Sequence, residues 1–105
     1  MTSVTIKLDN PFTHANVLYE SLTLKEPSGY LFIELGEPRI PVSQSNGGGY
    51  WVEQPVAIKA YFERCLDHPA GVAALAFMSL ADAVKLKSAL FDFFRAASAS
   101  VTDKP

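Results

Sequence analysis

Apolar and polar positions alternate from Val4 to Leu8, with Val4, Ile6 and Leu8 set against Thr5 and Lys7, the period of a strand buried on one face. Asp9-Asn10-Pro11 breaks the alternation and is expected to end that strand. A second extended stretch covers Val17 to Leu24, where Leu18, Leu22 and Leu24 share a face that Glu20 interrupts, and the two stretches are expected to pair as a hairpin. Between Pro27-Ser28-Gly29 and Gly36, the run Tyr30 to Leu35 reads either as a buried strand or as one or two helical turns. A proline able to open a helix and a glycine able to close one tilt it towards the helix. Arg39 to Ser43 and Tyr50 to Val52 flank Asn46-Gly47-Gly48-Gly49, whose glycines accept positive φ and suit a loose hairpin tip.

From Pro55 the period changes to that of a helix, and a proline is well placed in the first turn because its missing N–H would have no partner there. Ile58, Tyr61, Phe62, Cys65 and Leu66 form one apolar stripe, away from Lys59, Glu63 and Arg64. Pro69 is expected to end this helix after His68 and to introduce a short alanine-rich helix from Ala70 to about Met78. Ser79-Leu80-Ala81-Asp82 then matches a helix N-terminal box: the hydroxyl accepts from a first-turn N–H and the carboxylate reaches back to the cap. The last helix should run to about Ala97 with Leu80, Ala83, Leu86, Leu90, Phe93, Phe94 and Ala97 on one face, widened by Val84 and Phe91. The pattern thus predicts an α+β fold, with N-terminal antiparallel β-hairpins packed on a C-terminal bundle of two to three helices. Residues 1–97 form a single domain in this reading, and 98–105 a flexible tail.

Length and composition narrow the function classes. A chain of 105 residues, 49% apolar and 19% charged, belongs with ordinary globular domains and has room for one core. Its formal charge of −2, with Lys and Arg scattered, provides no footprint for a phosphate backbone, so nucleic acid is not expected as a partner. No apolar run approaches the ~20 residues of a membrane span, and Met1 to Thr5 lacks the order of a signal peptide, so a cytoplasmic protein without membrane contact is expected. A single cysteine excludes an intramolecular disulfide and a Cys-based zinc site.

Several residues invite a chemical role. Cys65 and His68 stand three apart on one helix, the minimum for a thiolate nucleophile, yet Cys65 falls in the apolar stripe where free cysteine acts as a small hydrophobe. His14 and His68 with Asp67 or Asp9 have the ligand types of a metal site but no diagnostic spacing, and neither a metal nor a cofactor is expected. The Gly47-Gly48-Gly49 run resembles a phosphate cradle without the Lys-Ser or Lys-Thr that should follow it. Trp51 beside it reads equally as a core filler and as an anchor for a partner. Phe91 and Phe93 lie about 200° apart around a helix, so one small domain is not expected to cover both, and a second chain or partner segment should cover one. Trp51, Tyr61, Phe62, Phe91 and Phe94 are therefore the partner-contact candidates, on a protein expected to be no enzyme.

The succession Leu22-Thr23-Leu24-Lys25-Glu26-Pro27, Leu35-Gly36-Glu37-Pro38, Ser79-Leu80-Ala81-Asp82 and Phe93-Phe94 is similar to that of small tail assembly chaperones of long-tailed phages and proteobacterial prophages. The resemblance runs from about Thr5 to Ala96, and its motif falls on Glu26, Pro27, Ser79, Asp82, Phe93 and Phe94, while Arg39 to Val52 lies outside it. It implies a non-enzymatic role: keeping the tape measure protein soluble and recruiting tail tube subunits, with a homo-oligomer as the working form. Two readings stand beside it, a structural virion component such as a tail completion protein, and a small enzyme using Cys65 with His68.

Overall fold

The computed structural model describes residues 2–67 and 73–102. The elements follow in the order β1 (Ser3–His14), β2 (Val17–Lys25), α1 (Gly29–Leu35), β3 (Arg39–Ser43), β4 (Gly49–Glu53), α2 (Pro55–Cys65), α3 (Ala73–Phe77) and α4 (Leu80–Thr102). Both strand pairs are antiparallel, β1 with β2 and β3 with β4; α1 lies between the pairs and α2 to α4 follow them, so the fold is α+β as the periodicity predicts. Ile6 and Leu24 of the first hairpin meet Leu31 of α1, Ile58, Tyr61, Phe62 and Cys65 of α2, and Leu86, Leu90 and Phe91 of α4 in one core. A smaller cluster holds Leu8 and Leu22 with Phe12, Leu66 and Met78 at its edge. The radius of gyration, 15.4 Å, exceeds the ~13 Å of a compact chain of this length. The long hairpin contributes to that elongation: its turn, Ala15-Asn16, has both φ positive in the manner of a type I′ turn, and Val17 and Leu18 beside it are exposed.

β1 does not end at Asp9-Asn10-Pro11 as expected. It continues to His14 through a wide bulge in which Leu8 to Pro11 stand opposite Glu20 alone, between the pairs Lys7 with Ser21 and Phe12 with Tyr19. Pro11 is tolerated because a bulged position needs no ladder donor. The two N–H groups that the bulge takes off the ladder are received by a side chain from far along the chain. Asp82 accepts from the backbone N–H of Asp9 at 2.7 Å and of Asn10 at 3.0 Å.

That contact also revises the expected helix box. Ser79 does cap α4, its Oγ accepting from the N–H of Asp82 at 3.2 Å, but the carboxylate, besides meeting the cap's hydroxyl, takes its backbone N–H partners from β1. Ser79 Oγ in turn donates to Asp82 at 3.1 Å and accepts from Asn10 Nδ2 at 3.0 Å, while Lys85 bridges Asp9 at 2.6 Å and the Lys7 carbonyl at 3.2 Å. Asp82 is fully buried, 0% exposed, within this network.

Two further boundaries also differ from expectation. α2 ends at Cys65 instead of His68, because Leu66 turns extended to bridge Leu24 and Asp67 donates to the Thr23 carbonyl at 2.9 Å, giving β2 a short second neighbour. α4 runs to Thr102, past the expected end near Ala97 and through the start of the expected tail. Of the short alanine-rich helix, Ala73–Phe77 is observed; His68 to Val72 lie outside the described residues. The run after Pro27 resolves as a helix, capped by Ser28 Oγ accepting from Leu31 N–H at 3.1 Å and closed where Gly36, at φ +80°, donates to the Phe32 carbonyl at 2.7 Å.

Burial pushes the Asp82 carboxyl up, but the N–H groups of Asp9 and Asn10, the Ser79 hydroxyl and the Lys85 charge outweigh it and hold the group below its ordinary 3.8. A depressed carboxyl contributes its stability in full above its unfolded value and loses it as pH falls through the folded one. The protein is therefore expected to lose stability steeply below pH 3.8. Asp82→Asn, which sets an amide donor against a backbone donor, should lower Tm at neutral pH by roughly 5–15 °C and flatten that acid limb. Thermal melts across acid pH check both effects, and an unchanged Tm at neutral pH would remove the clamp from the account of stability.

Candidate functional site

The end of β2, the start of α1 and the later turns of α4 enclose an open groove of about 420 Å³. Its walls include Glu26, Pro27, Phe32, Phe93, Phe94 and Ala97. The groove is built from the inside outward. Tyr61, 0% exposed, donates its hydroxyl to the Gly36 carbonyl at 2.7 Å and so ties the closed end of α1 to α2. Phe94 stands edge-on to Tyr61 with ring centroids 5.3 Å apart and lies 5.8 Å from Phe32, so an aromatic row runs from the core to the groove surface. At the other wall the Glu26 N–H donates to the Thr2 carbonyl at 2.9 Å, and the Thr2 hydroxyl donates to the Glu26 carboxylate.

Of the five contact candidates, two keep usable surface. Trp51 is 56% exposed and Phe94 is half-buried in the groove wall. Tyr61 is corrected to core by its hydroxyl bond and Phe94 packing, and Phe62 is buried under α3 and α4 beside Leu75 and Met78. Phe91, 7% exposed, is also core: the Arg39 guanidinium lies 4.7 Å from its ring. No second chain is needed to cover it. The chain's own β3 does so, while Phe93, on the other side of the helix, is left in the groove. Leu80, expected on the apolar face of α4, is 81% exposed: the buried Asp82 faces β1, and Leu80 lies about 200° from it around the helix.

The β3–β4 ribbon meets different helices with its two faces. Arg39 pairs with Glu53 and Pro41 with Trp51 on one face; Ile40 pairs with Val52 and Val42 with Tyr50 on the other. The first face meets α4, through Arg39 stacked between Trp51 at 4.2 Å and Phe91, and through Glu53 paired with Lys87 at 3.0 Å. On the second, Ile40 lines a shallow hollow with residues of α1 and α2, and Ile40, Tyr50 and Val52 all keep exposed surface.

The other chemical candidates take structural places. Cys65 is a buried free thiol that burial pushes above its ordinary value, against the weaker pull of Arg64 and Lys25, the opposite of an activated nucleophile; His68 lies outside the described residues. The N–H groups of Gly47 and Gly48 are used inside the turn, on the Gln44 carbonyl and the Asn46 side chain, so the glycine run is a hairpin tip. Among the described residues no group of three His, Cys, Asp or Glu is placed to hold a metal ion, and no helix is long and apolar enough to cross a membrane. Comparison of the chain with family models, with curated proteins and with solved structures found no match.

The motif residues separate into two places. Ser79 and Asp82 make the β1 clamp, whereas Glu26, Pro27, Phe93 and Phe94 line the groove, although they come from opposite ends of the chain. Burial first, then the charges of Glu37 and Cys65, push the Tyr61 hydroxyl up to about 12. Its proton is kept in the fold and released on unfolding above pH 10, so stability falls as pH rises from 10.0 towards about 12. Tyr61→Phe should cost about 1 kcal/mol at neutral pH by orphaning the Gly36 carbonyl, and should abolish a late phenolate step in ultraviolet titration. A titration curve in which the variant keeps that step would assign it to another residue.

Proposed function

We propose that the protein is a non-enzymatic tail assembly chaperone that binds the tape measure protein of a long-tailed phage or prophage, with the groove between α1 and α4 as its contact site. One observation supports this reading above others. Four of the six residues that carry the resemblance, Glu26, Pro27, Phe93 and Phe94, meet around a single half-apolar groove, where an unrelated set would be scattered. The groove's chemistry suits the task. Aromatic walls bury apolar side chains of a helical client at roughly 25 cal/mol per Å², enough over a few residues for reversible binding. At about 420 Å³ it takes a few side chains at a time, so a long client would engage many copies along its length. Recruitment of tail tube subunits and assembly of the chaperone into a homo-oligomer belong to the same reading, in the cytoplasm of the host cell.

Co-expressed with the tape measure protein of its own tail cluster, the chain is expected to raise the soluble yield of that protein severalfold and to copurify with it. Ala97→Trp, which fills the groove from an exposed wall position, should remove both effects while leaving Tm unchanged. A tape measure protein that aggregates equally with and without the chain overturns the proposal. Retention of the chain in purified particles, read by mass spectrometry, would point to a structural virion component instead.

A further inference from the structure

The groove differs from an ordinary apolar hollow in the charge around it. Glu26 and Glu37 both line it, and no lysine or arginine does. Neither carboxylate belongs to an ion pair among the described residues, where the pairs formed are Arg64 with Glu34, Lys85 with Asp9, Lys87 with Glu53 and Arg95 with Asp92. The Glu26 carboxylate is steadied by the Thr2 hydroxyl rather than neutralised by it, and Glu37 is close enough to Tyr61 for its charge to act on that hydroxyl.

An acidic rim around an aromatic floor selects its occupant. A phosphate backbone or an anionic lipid surface is repelled, and a second copy of this chain, at a formal −2, gains nothing from the rim. We infer that the groove takes a cationic amphipathic helix, with an apolar side chain between Phe32, Phe93 and Phe94 and a lysine or arginine one helical turn away against Glu26 and Glu37. This rests on the groove being the contact site and adds the chemistry that the client must present there. Spacing of three or four residues brings the apolar and basic positions onto one face of the client helix. The aromatic floor supplies affinity, and the carboxylates decide which segment of a long client is held.

The test uses the full chain and two synthetic peptides of about 16 residues, long enough to form a helix: one of Leu, Ala and Lys with Leu and Lys on a shared face, and a twin with Glu for every Lys. Titration calorimetry at low salt should give binding of the Lys peptide on the order of tenfold tighter than its twin, with the advantage shrinking as salt is raised. Glu26→Gln combined with Glu37→Gln should bring the two peptides level without loss of Tm, and Ala97→Trp should abolish binding of both. If the peptides bind equally to the unaltered chain and Ala97→Trp still blocks them, the groove is a contact site and the charge selection is wrong. If the Lys peptide binds as well to the Ala97→Trp protein, or fails to bind the unaltered one, the groove is not the site, and this inference and the contact site fall together.

Discussion

A buried carboxylate holding two backbone N–H groups of a strand bulge is the contact on which the arrangement of this molecule depends. Each partner would be costly alone. An ionised Asp82 with no exposure needs compensating donors, and the N–H groups of Asp9 and Asn10, taken off the β1–β2 ladder, need acceptors. Joined, they satisfy each other and fix the first turn of α4 against the middle of β1. A helix is stiff along its axis, so pinning it at Asp82 also sets where Phe94 lies, roughly 18 Å further on. Leu86 and Leu90 then run along Ile6 and Leu24 of the hairpin, and the far end of α4 reaches Glu26 and Pro27 at the end of β2. The groove is therefore a consequence of a clamp that none of its own residues makes.

Local periodicity was enough to recognise the longer elements, since a one-sided strand and a one-sided helix repeat at different intervals; the short run Tyr30 to Leu35 stayed open between the two and was tilted to helix by its flanking Pro27 and Gly36. What it could not carry were contacts whose partners are distant. Asp9-Asn10-Pro11 has the composition of a strand terminator, and only the carboxylate of Asp82, more than seventy residues on, turns it into a bulge within a continuing strand. The serine-acid box was legible as a helix start, and its hydroxyl half formed as expected; the acidic half found a stronger claim across the fold. The end of α2 moved for a similar reason, as Leu66 and Asp67 leave the helix to add to the edge of β2.

Surface and interior at the aromatic positions were less legible still. A stripe tells which side chains share a face and says nothing about what lies against that face. Tyr61, Phe62 and Phe91 carried the right apolar character for a contact surface, but the chain's own α1, α3 and β3 reach them first. Trp51 stays half in solvent because an arginine, not a hydrophobic residue, fills the space between it and Phe91. That stack, with the Glu53–Lys87 pair, sets the Arg39 face of the β3–β4 ribbon against α4. Alternating patterns fix the relation between neighbouring side chains and do not say which helix each face will meet.

The groove is rigid on the side where rigidity matters for recognition. Phe94 is wedged against Tyr61, and Tyr61 is tied through its hydroxyl to Gly36, whose positive φ ends α1 and directs the chain away from the floor. The aromatic row cannot collapse into the groove without breaking a buried hydrogen bond, nor retreat into a core already filled by Leu86 and Leu90. On the proposed function, a client meeting this surface would lose its own freedom but require little rearrangement of the protein, which is the condition under which a small contact area can still bind usefully. The carboxylates sit on a different footing: Glu26 and Glu37 are at the rim, where water and salt weaken them, so in the proposed complex they would act on the choice of segment more than on the strength with which it is held. Affinity from an aromatic floor and selection from a screened acidic rim would then be separable properties, and a client made of repeated helical segments would be gripped wherever a basic residue follows an apolar one at helical spacing.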